Sequence, residues 1–335
     1  MPAVLASIAD LLEGMEGLEP LPGVPGVSGA ALRRGGRDGG RYVVKFLNWR
    51  DDWTQHASGV LGGPVVPLWQ RGILNRLPDC INQPIVGVAM EGSWGGWRTA
   101  VLMRDIGEWL IAPGDEPIPL RTHRLQLTHL AEMHAAFWQP GPEFDVVPEM
   151  HRYLELSPWM AQAEAAIGSD HVVPPLVDRG WRLLPQVAPR AAAVVADLAL
   201  DPSPLVQALA DTPTTFIHGD WKLDNLGLDD HGCTVLLDWE LPGISAPLGD
   251  VAWYLAINCR RLPQSKEAAI GDYRAALAAR GVDTEPWWDR QLALCLLGAL
   301  VQFGWEKALG GYDDELAWWE GKALAGAEYL PTGSP

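Results

Sequence analysis

Lysine is nearly absent from this chain: in 335 residues the only ones are Lys45, Lys222, Lys266, Lys307 and Lys322. With 25 basic against 42 acidic side chains and a formal net charge of -17, it lacks the basic face that a phosphate backbone needs, which argues against a nucleic-acid partner. The same acidity suits a cationic small substrate, although a surface kept soluble by charge is the commoner reason for it. Cysteine is scarce as well. Cys80, Cys233, Cys259 and Cys295 show neither CxxC nor metal-ligand spacing, so reduced thiols and a cytoplasmic setting are expected. The apolar start runs into Asp10, Glu13, Glu16 and Glu19, where a secretory signal would stay apolar. No apolar run approaches the roughly 18 residues that span a bilayer, so no membrane partner is expected. One absence is local: between Trp53 and Pro78 there is no aspartate or glutamate.

What is present is an ordinary globular composition, 48% hydrophobic, on a chain long enough for a large core in two lobes or domains. Its most informative stretch runs from Phe216 to Glu240, FIHGDWKLDNLGLDDHGCTVLLDWE. Residues 214–217 read as a buried strand that stops at His218-Gly219. Residues 226–228 and 234–237 flank the turn residues Asp229-Asp230-His231-Gly232 and read as a hairpin. Asp220 and Asn225 then lie before the hairpin and Asp238 after it. Two carboxylates and an amide oxygen suit a hard cation such as Mg²⁺. Alternatively, Asp220 accepts the proton of an attacking hydroxyl, Asn225 and Asp238 hold the metal, and Lys222 meets a phosphate as a point charge. Singly, Asp220, Asp224 and Asn225 are common loop formers; the set at this spacing points to chemistry.

H-G-D-W-K-L-D-N followed by L-L-D-W-E resembles the catalytic and metal-binding loops of the aminoglycoside phosphotransferase family, small-molecule kinases that share the fold of protein kinases. The resemblance implies a two-lobed, kinase-like α+β fold. Residues 1–105 would form a small antiparallel-sheet lobe that binds nucleotide, and 106–335 a mainly helical lobe for catalysis and acceptor binding. It implies Asp220 as catalytic base, Lys222 as the γ-phosphate contact, Asn225 and Asp238 as Mg²⁺ ligands, and His218 and Asp250 as supports of the loop. ATP or GTP is the implied phosphoryl donor and a hydroxyl of a small molecule the acceptor. Trp239-Glu240 in place of Phe-Gly points away from protein substrates.

Toward the N-terminus, residues 3–19 carry apolar positions at helical spacing and predict a short amphipathic helix. Gly26, Ser28 and Gly29 could form a tight loop whose N–H groups cradle phosphates, and Arg37 to Gly40 reads as the next hairpin turn. Lys45 lies in the apolar strand RYVVKFL, the context in which the kinase pattern places the lysine that holds the α- and β-phosphates. The family pairs that lysine with a helix glutamate, which this chain lacks. Asp51, Asp52 or Asp79 would substitute, or the lysine is held without an ion pair. Residues 85–89 and 97–103 read as paired strands leading into Arg104-Asp105-Ile106-Gly107, which resembles the linker between lobes. Backbone groups from Met103 to Asp105 would there meet the nucleotide base.

Helices are predicted over 121–138, 158–167 with Ser157 as cap, 189–200, 264–280, 286–309 and 313–330, with two or three in all between 140 and 213. His123, His129 and His134 share the first, but no two are three or four residues apart, so core or surface histidines are expected rather than metal ligands. Trp305 and Trp318, with Asp313, Asp314 and Glu240, are the candidates for the acceptor side, since aromatic faces and carboxylates suit a polyhydroxylated or amine-bearing molecule. An aminoglycoside or amino sugar ranks first; neutral sugars, choline-like alcohols and macrolides stay open. Two rivals are a nucleotide-binding pseudokinase, favoured by the missing helix glutamate, and a metal-dependent phosphoesterase, whose usual Asp-x-His and Asn-His segments are absent.

Overall fold

The computed structural model describes residues 2–21, 29–60, 62–92 and 96–331. Gly14 and Gly17, at φ 74° and 61°, break the helix that the spacing over 3–19 predicts. A single turn remains, α1 (Ile8–Leu11), where the Ser7 side chain accepts from the Asp10 N–H. The residues beyond it become strand β1 (Glu16–Pro20). β1 pairs with β2 (Ala31–Arg37), which turns through Asp38 and Gly39 into β3 (Gly40–Asn48). Both turn residues have positive φ, as a tight two-residue hairpin requires.

Helices α2 (Trp53–Ser58) and α3 (Val65–Gln70) follow, then β4 (Ile81–Asn82), β5 (Ile85–Glu91) and β6 (Arg98–Arg104). Five of these strands form an antiparallel sheet in the order β1-β2-β3-β6-β5. Strand alternation divides its side chains between two faces. Val88 and Val101 join the main core, whereas Val44, Ala89 and Ala100 pack in a smaller cluster with Leu11.

The rest of the chain is mainly helical: α4 (Leu120–Ala136), α5 (Glu149–Leu154), α6 (Pro158–Ile167), α7 (Val173–Val187), α8 (Pro189–Leu198) and α9 (Ser203–Leu209). Ser157 caps α6 by accepting from the Met160 N–H. The stretch 140–213 thus holds more helices than its sequence predicts, because proline in the first turn starts α6, α7, α8 and α9 separately. Short strands then carry the informative stretch: β7 (Thr215–Ile217), the hairpin of β8 (Leu226–Leu228) and β9 (Thr234–Leu236), and β10 (Gly243–Ser245). β7 pairs with β10, and β4 adds to β9 in parallel, joining the N-terminal half to the hairpin.

Helices α10 (Pro247–Ile257), α11 (Lys266–Ala279), α12 (Trp288–Leu309) and α13 (Asp314–Ala327) complete the fold. By length and composition α12 is apolar enough to cross a membrane, contrary to the expectation from sequence, but 67% of its apolar window is buried inside the protein. It packs against α7, α10 and α13 as a core helix. The three histidines of α4 are core residues: His123 bonds the Tyr254 hydroxyl, His129 that of Thr234, and His134 that of Tyr273.

Candidate active site

The loop after β7 is shaped by Gly219. Its φ is +81°, and a Cβ there would sit 2.1 Å from the Leu241 carbonyl oxygen, so a side chain is excluded. Asp250, fully buried in the first turn of α10, accepts from the His218 N–H at 2.9 Å and the Gly219 N–H at 2.8 Å. Burial alone would raise the Asp250 pKa, but its bond and charge interaction with His134 bring it below the ordinary value. The His218 ring donates from Nε2 to the Leu237 carbonyl at 2.9 Å and accepts at Nδ1 from the Asp220 N–H at 3.2 Å. It therefore ties the Asp220 loop to the segment entering Asp238 as a neutral ring, and burial lowers its pKa.

Asp220 is 4% exposed. Its Oδ1 accepts from the Trp253 indole Nε1 at 3.0 Å, and its Oδ2 from the Asn225 Nδ2 at 2.8 Å. Lys222 Nζ lies 2.7 Å from the same Oδ2. Burial would lower the pKa of Lys222, but the charges of Asp220 and Asp238 raise it instead. Asn225 commits its amide NH₂ to Asp220, which leaves its oxygen as the atom open to a cation. Lys222, assigned by resemblance to a phosphate, pairs with Asp220 here.

Lys45 projects from β3 to the other side of the site. Its Nζ pairs with Asp238 and lies 2.5 Å from Glu240 Oε1. The expectation that Asp51, Asp52 or Asp79 stands beside Lys45 is overturned: Glu240 does so, from a loop 195 residues away in sequence, and burial, with the charge of Asp238, pushes its carboxyl up to about 8 against the opposing charge of Lys45. Glu240 also leaves the acceptor side, where its sequence position suggested it. Burial opposes the Lys45 charge, yet the two carboxylates raise its pKa. Burial likewise opposes ionisation of Asp238, but Lys45 holds that carboxyl well below the usual range. Asp238 adopts φ 63°, a left-handed conformation rare for a residue with a side chain and frequent at functional sites. Lys45, Leu47, Val65, Met103, Asp238 and Glu240 line a cleft between the sheet and this loop.

The remaining sequence candidates fall into three groups. Gly26 and Ser28 lie outside the described residues. Gly29 is at φ +103°, with the Asp51 carbonyl 2.0 Å from where its Cβ would stand. In the linker, the Arg104 and Asp105 N–H groups donate to Pro84 and Arg41 carbonyls, so those two donors are not offered to a base. The Asp105 carboxylate pairs with Arg34 at 2.9 Å. On the supposed acceptor side, Asp313 caps α13 through the Leu316 N–H, while the exposed Asp314 opens that helix. Trp318 lies under Lys266 and Lys322 and donates to Glu267. Trp305 is buried with its Nε1 unpartnered.

Two residues at the site carry no motif in the sequence. Trp253 is one. The other is Glu155, just past α5, which is 6% exposed with Oε2 buried and unpartnered. Burial and then the charge of Asp220 push its carboxyl up to about 8, against an opposing effect of Lys222.

A family model described as a phosphotransferase enzyme family, APH, matches residues 21–288. No curated protein matches the chain. Among solved structures, it is similar to a microcompartment-associated aminopropanol kinase, with 12% identity over 95% of this chain and 94% of that one and a TM-score of 0.53. It is similar also to choline kinase LicA from Streptococcus pneumoniae, with 12% identity, 96% of each chain covered and a TM-score of 0.52. A thermostable mutant of aminoglycoside phosphotransferase APH(4)-Ia, in ternary complex with ADP and hygromycin B, shows 15% identity over 98% of each chain and a TM-score of 0.49. At such identities the likeness is one of fold. The two-lobed, kinase-like α+β architecture implied by the sequence motif is the one observed.

Proposed function

This chain belongs to the APH phosphotransferase enzyme family, and on that premise we propose that it moves the γ-phosphoryl group of ATP or GTP to a hydroxyl of a small molecule. The observation that carries this reading is the pair of facing groups just described. On one side a buried carboxylate, Asp220, is aimed by Trp253 and Asn225; on the other, Lys45 reaches Asp238 across the cleft.

Asp220 accepts the acceptor's hydroxyl proton as the oxygen attacks phosphorus. Lys45 and Lys222 neutralise charge on the phosphates, Lys222 exchanging its contact with Asp220 for one with the transferred group. Asn225 and Asp238 offer the oxygen donors that suit Mg²⁺, which keeps water and substrate phosphate in its shell. Among the described residues no group of three or more His, Cys, Asp or Glu side chains could hold a metal ion, so the phosphates would complete the set. When bound, the cation supplies charge neutralisation between the phosphates.

For the acceptor we favour an amine-bearing polyol, an aminoglycoside or amino sugar. Its support is the net charge of -17 and Glu155, whose buried Oε2 has no partner and whose carboxyl feels the charges of Asp220 and Lys222. An arriving ammonium would favour the ionised form of Glu155. The pseudokinase reading rests on the missing helix glutamate, and Lys45 has Glu240 as a partner in its place.

The test is release of ADP or GDP with Mg²⁺ across aminoglycosides, amino sugars, neutral sugars, amino alcohols and macrolides, with Asp220→Ala as control. Acceptor-stimulated turnover lost in the control supports the proposal. A protein that binds neither nucleotide refutes it.

A further inference from the structure

We propose that Glu240 is the positioning residue for Lys45, taking over from the loop the task that the helix glutamate has in the kinase pattern. This rests on the phosphotransferase reading of the same site.

Lys45 has two carboxylate partners, and they differ in what else they can do. Asp238 belongs with Asn225 to the donor set proposed for a cation, so cation binding draws on the carboxylate that also pairs with Lys45. Glu240 is free of that demand. Its Oε1 lies 2.5 Å from Lys45 Nζ, and its side chain is 12% exposed against 33% for Asp238. Its second oxygen is held as well: the Thr54 hydroxyl lies 3.2 Å from Oε2. That hydroxyl is in turn fixed at 2.6 Å from Asp52 Oδ1, the oxygen that caps α2 through the Thr54 N–H.

A polar chain therefore runs from the cap of α2 through Thr54 and Glu240 to Lys45. The segment from Trp53 to Pro78 carries no acid, so α2 and α3 have no carboxylate of their own to offer. The helix keeps a hydroxyl, and the charge comes from the Asp238 loop. A buried ammonium needs a carboxylate that stays with it through the reaction. Here only Glu240 can stay while Asp238 turns to the cation.

The experiment compares Glu240→Gln, Glu240→Asp, Thr54→Val, Lys45→Ala and the double variant Lys45→Ala/Glu240→Gln. It reads kcat and KM for nucleotide and acceptor separately, with nucleotide affinity by calorimetry in the absence of acceptor. Misplacing Lys45 should lower kcat/KM for nucleotide by about 10²-fold in Glu240→Gln, with the acceptor KM unchanged. Glu240→Asp should recover part of the loss, and Thr54→Val should show a smaller fall in the same parameter. The double variant should be no worse than Lys45→Ala, because both changes remove one interaction.

Additive losses in the double variant would overturn the proposal, since they would give Glu240 a role independent of Lys45, as a cation ligand for example. An effect confined to the acceptor KM would overturn it too. If the wild type binds nucleotide but turns over no acceptor tested, the calorimetry still decides: about tenfold weaker binding in Glu240→Gln supports the positioning role, and unchanged binding refutes it. A wild type that binds no nucleotide refutes the phosphotransferase reading itself, and this inference with it.

Discussion

The Trp253 indole donates to Oδ1 of Asp220 over 3.0 Å, from the same helix whose Asp250 holds the backbone on which Asp220 stands. One helix thus sets both the path of the loop and the direction of its carboxylate. Such double fixation holds a general base in one geometry at little entropic cost during the reaction.

Replacing Asp220 by Ala should lower kcat by about 10²- to 10⁴-fold, the range for losing a general base. Trp253→Phe keeps an aromatic ring beside Phe303, which Trp253 meets edge-on, but removes the indole donor. Its kcat should fall about tenfold, as expected for one lost hydrogen bond of ~1.4 kcal/mol to a charged group, with the acceptor KM nearly constant. Steady-state nucleotide turnover measures both, and a Trp253→Phe enzyme with wild-type kcat would show that the bond does not aim the base.

Chelation and mutation should converge at Asp238. EDTA should abolish turnover in the wild type, and Asp238→Ala should lack turnover even at high Mg²⁺, because Asn225 alone offers one oxygen. The variant should remain folded, since Lys45 keeps Glu240 as partner. Circular dichroism and a Mg²⁺ titration check this; turnover restored by excess Mg²⁺ would weaken the assignment of Asp238 and leave Asn225 with another ligand.

The parts legible in the sequence are those whose signals are local. The spacing of His218, Gly219, Asp220 and Asn225, the hairpin ending at Asp238, and the Ser157 cap all lie within a few residues of what they organise. The helix expected over 3–19 is cut to a single turn because Gly14 and Gly17 have positive φ, which ends a helix wherever the apolar residues fall. The partner of Lys45 was not legible, for it comes from 195 residues away and only the folded chain brings β3 against the Asp238 loop. Trp253 and Glu155 gave no signal either: one reads as a core aromatic, the other as a surface acid near a helix end. The α13 candidates show the converse. Asp313 and Trp318 look chemically apt in sequence but are engaged in a helix cap and a lysine cluster.

Asp250→Asn should destabilise the protein while leaving its shape unchanged. Asp250 accepts three bonds, from His218 N–H, Gly219 N–H and His134 Nε2. An amide would aim an NH₂ at one of these donors and leave that donor buried without an acceptor. The cost should be about 3 kcal/mol, the upper scale for hydrogen bonds to a charged group and for a buried donor left unpaired. Urea denaturation gives the value, and a loss below about 1 kcal/mol would mean that the bonds can be replaced.

Glu155 should make stability fall as pH rises. Its carboxyl is raised from 4.5 to about 8, by burial first and by Asp220 second. Below about 4.5 the group is protonated whether the chain is folded or not, and its contribution is fully present. Between about 4.5 and 8 the unfolded chain releases the proton while the folded one keeps it, so the unfolded state is favoured progressively. Glu155→Gln copies the neutral form and cannot titrate. Its stability relative to wild type should therefore grow from pH 5 to pH 8, by a few kcal/mol at about 1.4 kcal/mol for each unit of pKa difference. Thermal melting at pH 5, 6, 7 and 8 measures the trend; a constant offset between the two proteins would show that Glu155 is not held neutral. A cationic acceptor should reverse the preference, because its charge favours the ionised carboxylate. Wild type should then bind that acceptor more tightly than Glu155→Gln, although the variant is the more stable protein at pH 8.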